Sequence, residues 1–295
     1  MSAVVANLAV ETLERASPRD RYADYCLWDY EPVVPAAGKL RCANLLWQSI
    51  DAAGGGAHLK TALMSLREKI GPFRTVFGVK KFADRLSFEF YFYDYARLER
   101  DVSIAKVLEI LSPFVDCPLK YSEGRPYFMF SIDLDEDVAA RRRPLEIVNV
   151  YVGNPGSNVS SGICYEFSKT GLRLANFYFF FNARTEMRDI VAKVNCSAHH
   201  DLRGAPVNAI LRPDLLDCEV IVVANKKFND GVYFSRIKID PLIGFLEAER
   251  FPRELVDFAR QHRNGLDHML YDVGIDYVIV DGNVKVVKSA FYGLL

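Results

Sequence analysis

The chain lacks most of the signatures that assign a function at sight. It has no CxxC pair, no Walker loop, no GxSxG elbow and no HExxH, which removes dithiol redox chemistry, P-loop nucleotide binding, α/β-hydrolase catalysis and zincin-type catalysis from consideration. It has no excess of either charge, since 37 Lys and Arg stand against 38 Asp and Glu. That balance offers no dedicated surface for nucleic acid or another polyanion. No stretch approaches the roughly 18 consecutive apolar residues of a membrane-spanning helix, and Met1 is not followed by the basic and apolar regions of an export signal. A cytoplasmic protein without membrane or nucleic-acid partners is therefore expected. The six cysteines, Cys26, Cys42, Cys117, Cys164, Cys196 and Cys218, form no framework, so they read as reduced thiols filling small core positions. The sequon at Asn158-Val159-Ser160 is then incidental, because glycosylation needs the secretory route.

What is present is a chain of 295 residues, half of them apolar, which suffices for a full core. Five pairs of β-rich runs recur along it. The first pairs 73–79 with 86–94 across Ala83-Asp84-Arg85. The second pairs 127–133 with 145–153, and the third pairs 162–168 with 172–181 across Lys169-Thr170-Gly171. The fourth pairs 218–226 with 232–239 across Asn229-Asp230-Gly231, and the fifth pairs 276–280 with 284–292 across Asp281-Gly282-Asn283. Gly and Asn between such runs tolerate the positive φ of tight turns, so these are hairpins. Helical periodicity fills the intervals at 57–70, 103–111, 186–194 and 252–270. Residues 1–71 read as an N-terminal helical segment, of which 1–56 resists assignment, and 72–295 as five hairpins with intervening helices in one domain. Strand pairs without βαβ crossovers point to an antiparallel sheet.

Alternation separates two faces of different chemistry. Phe88, Phe90 and Phe92 oppose Ser87, Glu89, Tyr91 and Tyr93; Phe177, Phe179 and Phe181 oppose Asn176, Tyr178 and Phe180; Val148, Val150 and Val152 oppose Ile147, Asn149 and Tyr151. Lys288 and Tyr292 share a face of the last strand. A solvated sheet face is usually rich in Lys, Glu and Thr, whereas this one is rich in Tyr and Asn. The expected fold is an α+β, ten-stranded antiparallel barrel, with Phe and Val outside under helices and Tyr, Asn, Glu and Lys lining a chamber. A two-layer α+β sheet with a wet Tyr-rich face is the alternative.

Five successive hairpins with intervening helices resemble the ABBA aromatic prenyltransferases, the PT-barrel proteins. ANFYFF at 175–180, GVYFSR ending at Arg236, and Lys288-Ser289-Ala290-Phe291-Tyr292 carry the local likeness, and 162–240 is similar to the cyanobactin peptide prenyltransferases. The resemblance implies transfer of a dimethylallyl or longer group from its diphosphate to a nucleophilic acceptor. That acceptor is an aromatic small molecule, such as an indole or a phenol, or a peptide side chain.

Such chemistry needs donors for a leaving diphosphate and π faces that shield an allylic cation. Lys288, Arg236, Lys238, Asn149, Asn176, Tyr178 and Tyr292 are the candidates for the diphosphate, and Tyr91, Tyr93 and Tyr151 for shielding. Asn149 stands where the family's second hairpin often carries a lysine. Glu89 matches an acidic position of the first hairpin and would take the acceptor's proton or help hold a magnesium ion; an ion pair with an interior Lys or Arg is its competing reading.

Asp133-Leu134-Asp135-Glu136-Asp137 reads as a solvated turn, and His199-His200 as surface residues. Because Leu295 follows directly on the last strand, no C-terminal tail is expected to plug the barrel, which leaves an open end. Two rival functions share the pattern: a non-catalytic ligand-binding barrel, and an open sheet whose Tyr-rich face docks a partner.

Overall fold

A computed structural model describes residues 13–95, 101–153, 160–199 and 207–295; Asn158 of the sequon and His200 lie outside them. Helices α1 (Ala43–Ala52) and α2 (Ala57–Ile70) precede β1 (Val76–Phe82) and β2 (Arg85–Tyr93). Next come α3 (Ile104–Leu111), β3 (Met129–Asp133), α4 (Glu136–Ala139), β4 (Val148–Gly153), β5 (Ser160–Ser168) and β6 (Gly171–Asn182). After α5 (Met187–Val194) and α6 (Val207–Ile210) come β7 (Val220–Lys226) and β8 (Asp230–Ile237). The chain then runs through α7 (Ile239–Ala248), α8 (Arg253–Gln261) and α9 (Arg263–Leu266) into β9 (Tyr271–Val280) and β10 (Asn283–Leu294). Each strand pairs antiparallel with its neighbour in sequence, and β1 pairs with β10 to close a ten-stranded barrel. Closure excludes the two-layer sheet and the open docking face.

Alternation builds two cores. Phe77, Phe88, Phe90, Phe92, Phe130, Val148 and Val150 point outward and are buried beneath the helices together with Leu45, Leu46, Leu63 and Leu66. Full burial of each such side chain contributes about 1.5–3 kcal/mol, so the outer shell holds the barrel's shape. A smaller cluster lies inside, built from Val76, Tyr93, Val222, Tyr233, Tyr292 and Leu294.

Several boundaries differ from expectation. Phe73 has φ of 61°, which ends strand geometry there, so β1 begins at Val76 and continues through Lys80. The predicted helix over 252–270 breaks at His262 into α8 and α9. Strand β9 starts at Tyr271 rather than Asp276, because its inward positions are Asp272, Gly274 and Asp276, residues that weaken a strand signal. Helix α7 carries no expectation from sequence. The N-terminal segment is helical only from Ala43; the described residues before it form an irregular strap with two isolated bridges, Arg15 to Leu40 and Ala23 to Asp29.

The strap corrects the expectation of an open end. Ala23, Tyr25 and Leu27 pack with Val76, Tyr93, Met129, Phe180 and Leu294 at the end opposite the hairpin turns. Asp272 accepts the Tyr25 amide at 2.8 Å, the Ser235 hydroxyl at 2.5 Å and the Arg236 amide at 3.0 Å. The hydroxyls of Tyr93 and Tyr95 donate to the carbonyls of Tyr25 and Cys26. The segment packed on this end thus comes from the N-terminal side of the chain.

Candidate functional site

The lumen holds a cavity of about 210 Å³ lined by inward residues of eight strands and by Tyr25 and Cys26 of the strap. Its chemistry changes along the barrel axis in three layers. Nearest the hairpin turns is a charged layer with Glu89, Lys226 and Lys288 on its wall. A belt of tyrosines follows. Neighbouring ring centroids in the belt are 5.9 Å apart for Tyr91 and Tyr292, 6.3 Å for Tyr292 and Tyr233, 6.4 Å for Tyr233 and Tyr178, and 6.0 Å for Tyr178 and Tyr151. Beyond the belt, Met129, Phe180 and Tyr25 form an apolar wall at the strap end. Glycine makes room for the belt: a Cβ at Gly78 would stand 2.9 Å from the Tyr292 ring, and one at Gly274 would collide with the Tyr233 ring.

The charged layer contains two clusters of opposite stoichiometry. In one, Lys226 Nζ lies 2.8 and 2.7 Å from the two oxygens of Asp276 and 2.7 Å from the Tyr233 hydroxyl, while Lys288 Nζ lies 2.7 Å from Asp276 Oδ2. Two ammonium groups therefore share one carboxylate. In the other, Lys80 Nζ lies 3.1 Å from Glu89 Oε2 and also binds Asp133. Ser131 donates to Glu89 Oε1 at 2.5 Å and Asn149 at 3.3 Å.

These neighbours set the charge states. Burial works against the Asp276 carboxylate, but Lys226 and Lys288 outweigh it and hold its pKa well below the usual carboxylate range. One carboxylate does not serve two ammonium groups equally: burial and the Lys288 charge bring Lys226 down to about 8 despite Asp276. Burial likewise opposes the Glu89 carboxylate, yet Lys80 and the hydrogen bonds from Ser131 and Tyr91 hold it at about 2. Burial disfavours the Lys80 ammonium too, and Glu89 and Asp133 overcome that to raise its pKa.

Of the residues expected at the site, Glu89, Tyr91, Asn149, Tyr151, Asn176, Tyr178, Lys288 and Tyr292 line this one cavity. Asn176 donates to the Tyr178 hydroxyl at 3.0 Å. Three expected residues lie elsewhere. Arg236 sits at an irregularity between Phe234 and Ile237, with φ of 68°, and pairs with Asp24 of the strap at 3.0 Å. The inward positions of β8 are Tyr233 and Ser235, so Arg236, expected at the diphosphate from the resemblance alone, has outward parity. Lys238 shares that parity; it precedes α7, is largely exposed and pairs with Asp217 at 3.3 Å. Tyr93 is inward but one layer too far along, where it stacks on Tyr95 at 5.7 Å and holds the strap.

The structure adds Lys80, Lys226, Tyr233, Asp276 and Tyr25 to the site. Tyr233 was readable from alternation within β8, whereas Asp276 lay at the edge of the recognised part of β9. Lys226 was hidden because both faces of VIVVANK are apolar until its end, and Tyr25 arrives from outside the sheet. For Glu89, the ion-pair reading holds, through Lys80.

A magnesium ion does not fit at Glu89. One of its oxygens faces Lys80 and the other is engaged by Ser131 and Asn149, and the Lys80 ammonium stands between Glu89 and Asp133 where a bridging divalent ion would need to sit. Among the described residues no group of three or more His, Cys, Asp or Glu is placed to hold a metal. In the acidic run, Asp135 caps α4 by accepting the Val138 amide at 3.0 Å, and Asp135 and Asp137 pair with Arg143 and Arg142; Asp133 alone faces Lys80. His199 is exposed and its Nε2 lies 2.7 Å from the Lys226 carbonyl.

No protein-family model matches the chain, and no curated protein matches it in sequence. Among the described residues no helix is long and apolar enough to cross a membrane.

Proposed function

We propose that the lumen is the site of a prenyl diphosphate transferase. The observation that carries this reading is the tyrosine belt lying directly beside two lysines that share one carboxylate. Lys226 and Lys288 together exceed the charge of Asp276 by one unit and leave capacity for an anion. The belt supplies five negative π faces, which stabilise an allylic cation without capturing it as a strong nucleophile would.

In this mechanism the donor's diphosphate rests on Lys226 and Lys288, with Asn176 and the Tyr178 and Tyr233 hydroxyls within the same wall. The bond between the allylic carbon and oxygen breaks, and its electron pair leaves with the diphosphate. The acceptor's nucleophilic atom forms the new bond to the allylic carbon, and the proton it loses passes to the released diphosphate. Glu89, at about 2, is too weak a base for that proton; with Lys80, Ser131 and Asn149 already on its two oxygens, it acts as a fixed negative charge beside the belt.

A second reading, a non-catalytic ligand-binding barrel, is favoured by one observation: each lysine on the lumen wall already has a carboxylate partner, and Arg236 is not among them. Incubation with dimethylallyl and geranyl diphosphates and a panel of indoles, phenols and short cyclic peptides, followed by mass spectrometry, separates the two. A prenyl mass gain that falls at least about 100-fold in Lys288→Ala and Lys226→Ala supports the transferase. Stabilisation against heat by the diphosphates with no mass gain supports the binding barrel, and neither effect would sink the diphosphate site.

A further inference from the structure

The strap contributes a wall to the lumen as well as packing across one end of the barrel. We infer that Tyr25, delivered by the strap and by no strand, limits the apolar group that the lumen accepts to a five-carbon unit. This rests on the transferase reading of the same cavity.

The layer order carries the argument. With a diphosphate on Lys226 and Lys288 and the allylic carbon inside the tyrosine belt, the remaining carbons of the donor point toward the strap end. There the Tyr25 ring packs against Tyr292, with centroids 5.7 Å apart and planes tilted by 38°. That spacing is ring-to-ring contact, so no isoprene unit passes between Tyr25 and Tyr292. The cavity volume agrees, since about 210 Å³ is below the range of about 300–1,000 Å³ typical of sites for drug-sized ligands.

The ring is also separable from the strap's attachment. The main chain at Tyr25 is held by Asp272 on its amide and by Tyr93 on its carbonyl. The Tyr25 hydroxyl is shut from solvent and makes no hydrogen bond of normal geometry, with the Cys26 thiol as its near neighbour. Removing the side chain therefore deletes the wall and leaves the latch in place.

The test is calorimetric titration of the full chain with the thiolodiphosphate analogues of dimethylallyl and geranyl donors, whose sulfur leaving group resists ionisation. The transfer assay is run in parallel. Wild type is expected to bind the five-carbon analogue at least tenfold more tightly than the ten-carbon one. Tyr25→Ala should gain affinity for the ten-carbon analogue until the ratio reaches one or inverts, and Tyr25→Phe, which keeps the ring, should keep the five-carbon preference. Tyr25→Leu should fall between them and serves if the alanine variant does not fold. Equal binding of both analogues by wild type, or an unchanged ratio in folded Tyr25→Ala, overturns the role of Tyr25 and leaves the diphosphate site standing. A wild type that binds neither analogue overturns the diphosphate site and this inference together.

Discussion

Two clusters in one lumen invert each other's arithmetic. At Asp276 a single carboxylate serves Lys226 and Lys288; at Lys80 a single ammonium serves Glu89 and Asp133. Both are ion-paired networks in a low-dielectric barrel, yet one carries surplus positive charge and the other surplus negative charge. Counting salt bridges would rate them alike. Their stoichiometry separates them, and the proposed anion site rests on the surplus beside Asp276.

The largest expected effect tests that inversion directly. Asp276→Asn leaves two buried ammonium groups facing one another without a counter-charge, and the cost to stability should be about 3–5 kcal/mol. Lys80→Met should cost less, because the Asp133 side chain is 53% exposed and keeps part of its hydration. Urea unfolding of both variants measures the difference, and equal losses would break the comparison.

Acid titration comes next. The folded pKa of Glu89, at about 2, lies below its ordinary value of 4.5, so it contributes stability that is present above about pH 4.5 and lost as pH falls through about 2. The buried shift corresponds to about 3 kcal/mol. Glu89→Gln should flatten the unfolding free energy over that window, and a profile identical to wild type would remove Glu89 as its source.

On the opposite cluster the sign reverses. Lys226, at about 8 against an ordinary 10.5, loses its proton in the folded protein first, so its burial penalty is relieved and stability rises between about pH 8 and 10.5. Anion binding should move the other way. Affinity for the dimethylallyl thiolodiphosphate should weaken by up to about tenfold per pH unit above 8, and Lys226→Met should abolish that slope. A slope that survives the substitution would assign the titration to another group.

The smallest effect concerns a residue outside both clusters. Lys238 is 61% exposed, so Lys238→Ala should change stability by less than about 0.5 kcal/mol and leave diphosphate affinity unaltered. A large loss of affinity would return Lys238 to the lumen.

Legibility in the sequence followed the range of the interaction. Hairpins and faces were readable because turn residues and alternation act over two to four positions; Phe88, Phe90 and Phe92 went outward and Tyr91, Tyr151 and Tyr178 inward as expected. Lys288 and Tyr292 were assigned to the lumen despite an irregularity between Val286 and Lys288. Arg236 failed at a similar irregularity: the resemblance alone put it at the diphosphate, whereas the Tyr233 side chain marks the inner face. Lys226 and Lys80 gave no such mark, since their strands show apolar residues on both faces.

The amino-acid pattern by itself determined that five hairpins would present aromatic rings to both sides of a sheet, because the direction of a side chain along a strand is a local property of the backbone. Tertiary structure decided which charges meet and what closes the chamber. Lys226 finds Asp276 across 50 residues, and the Tyr25 amide finds Asp272 across 247. Contacts at those separations arise only when the barrel shuts, and no spacing rule along the chain encodes them.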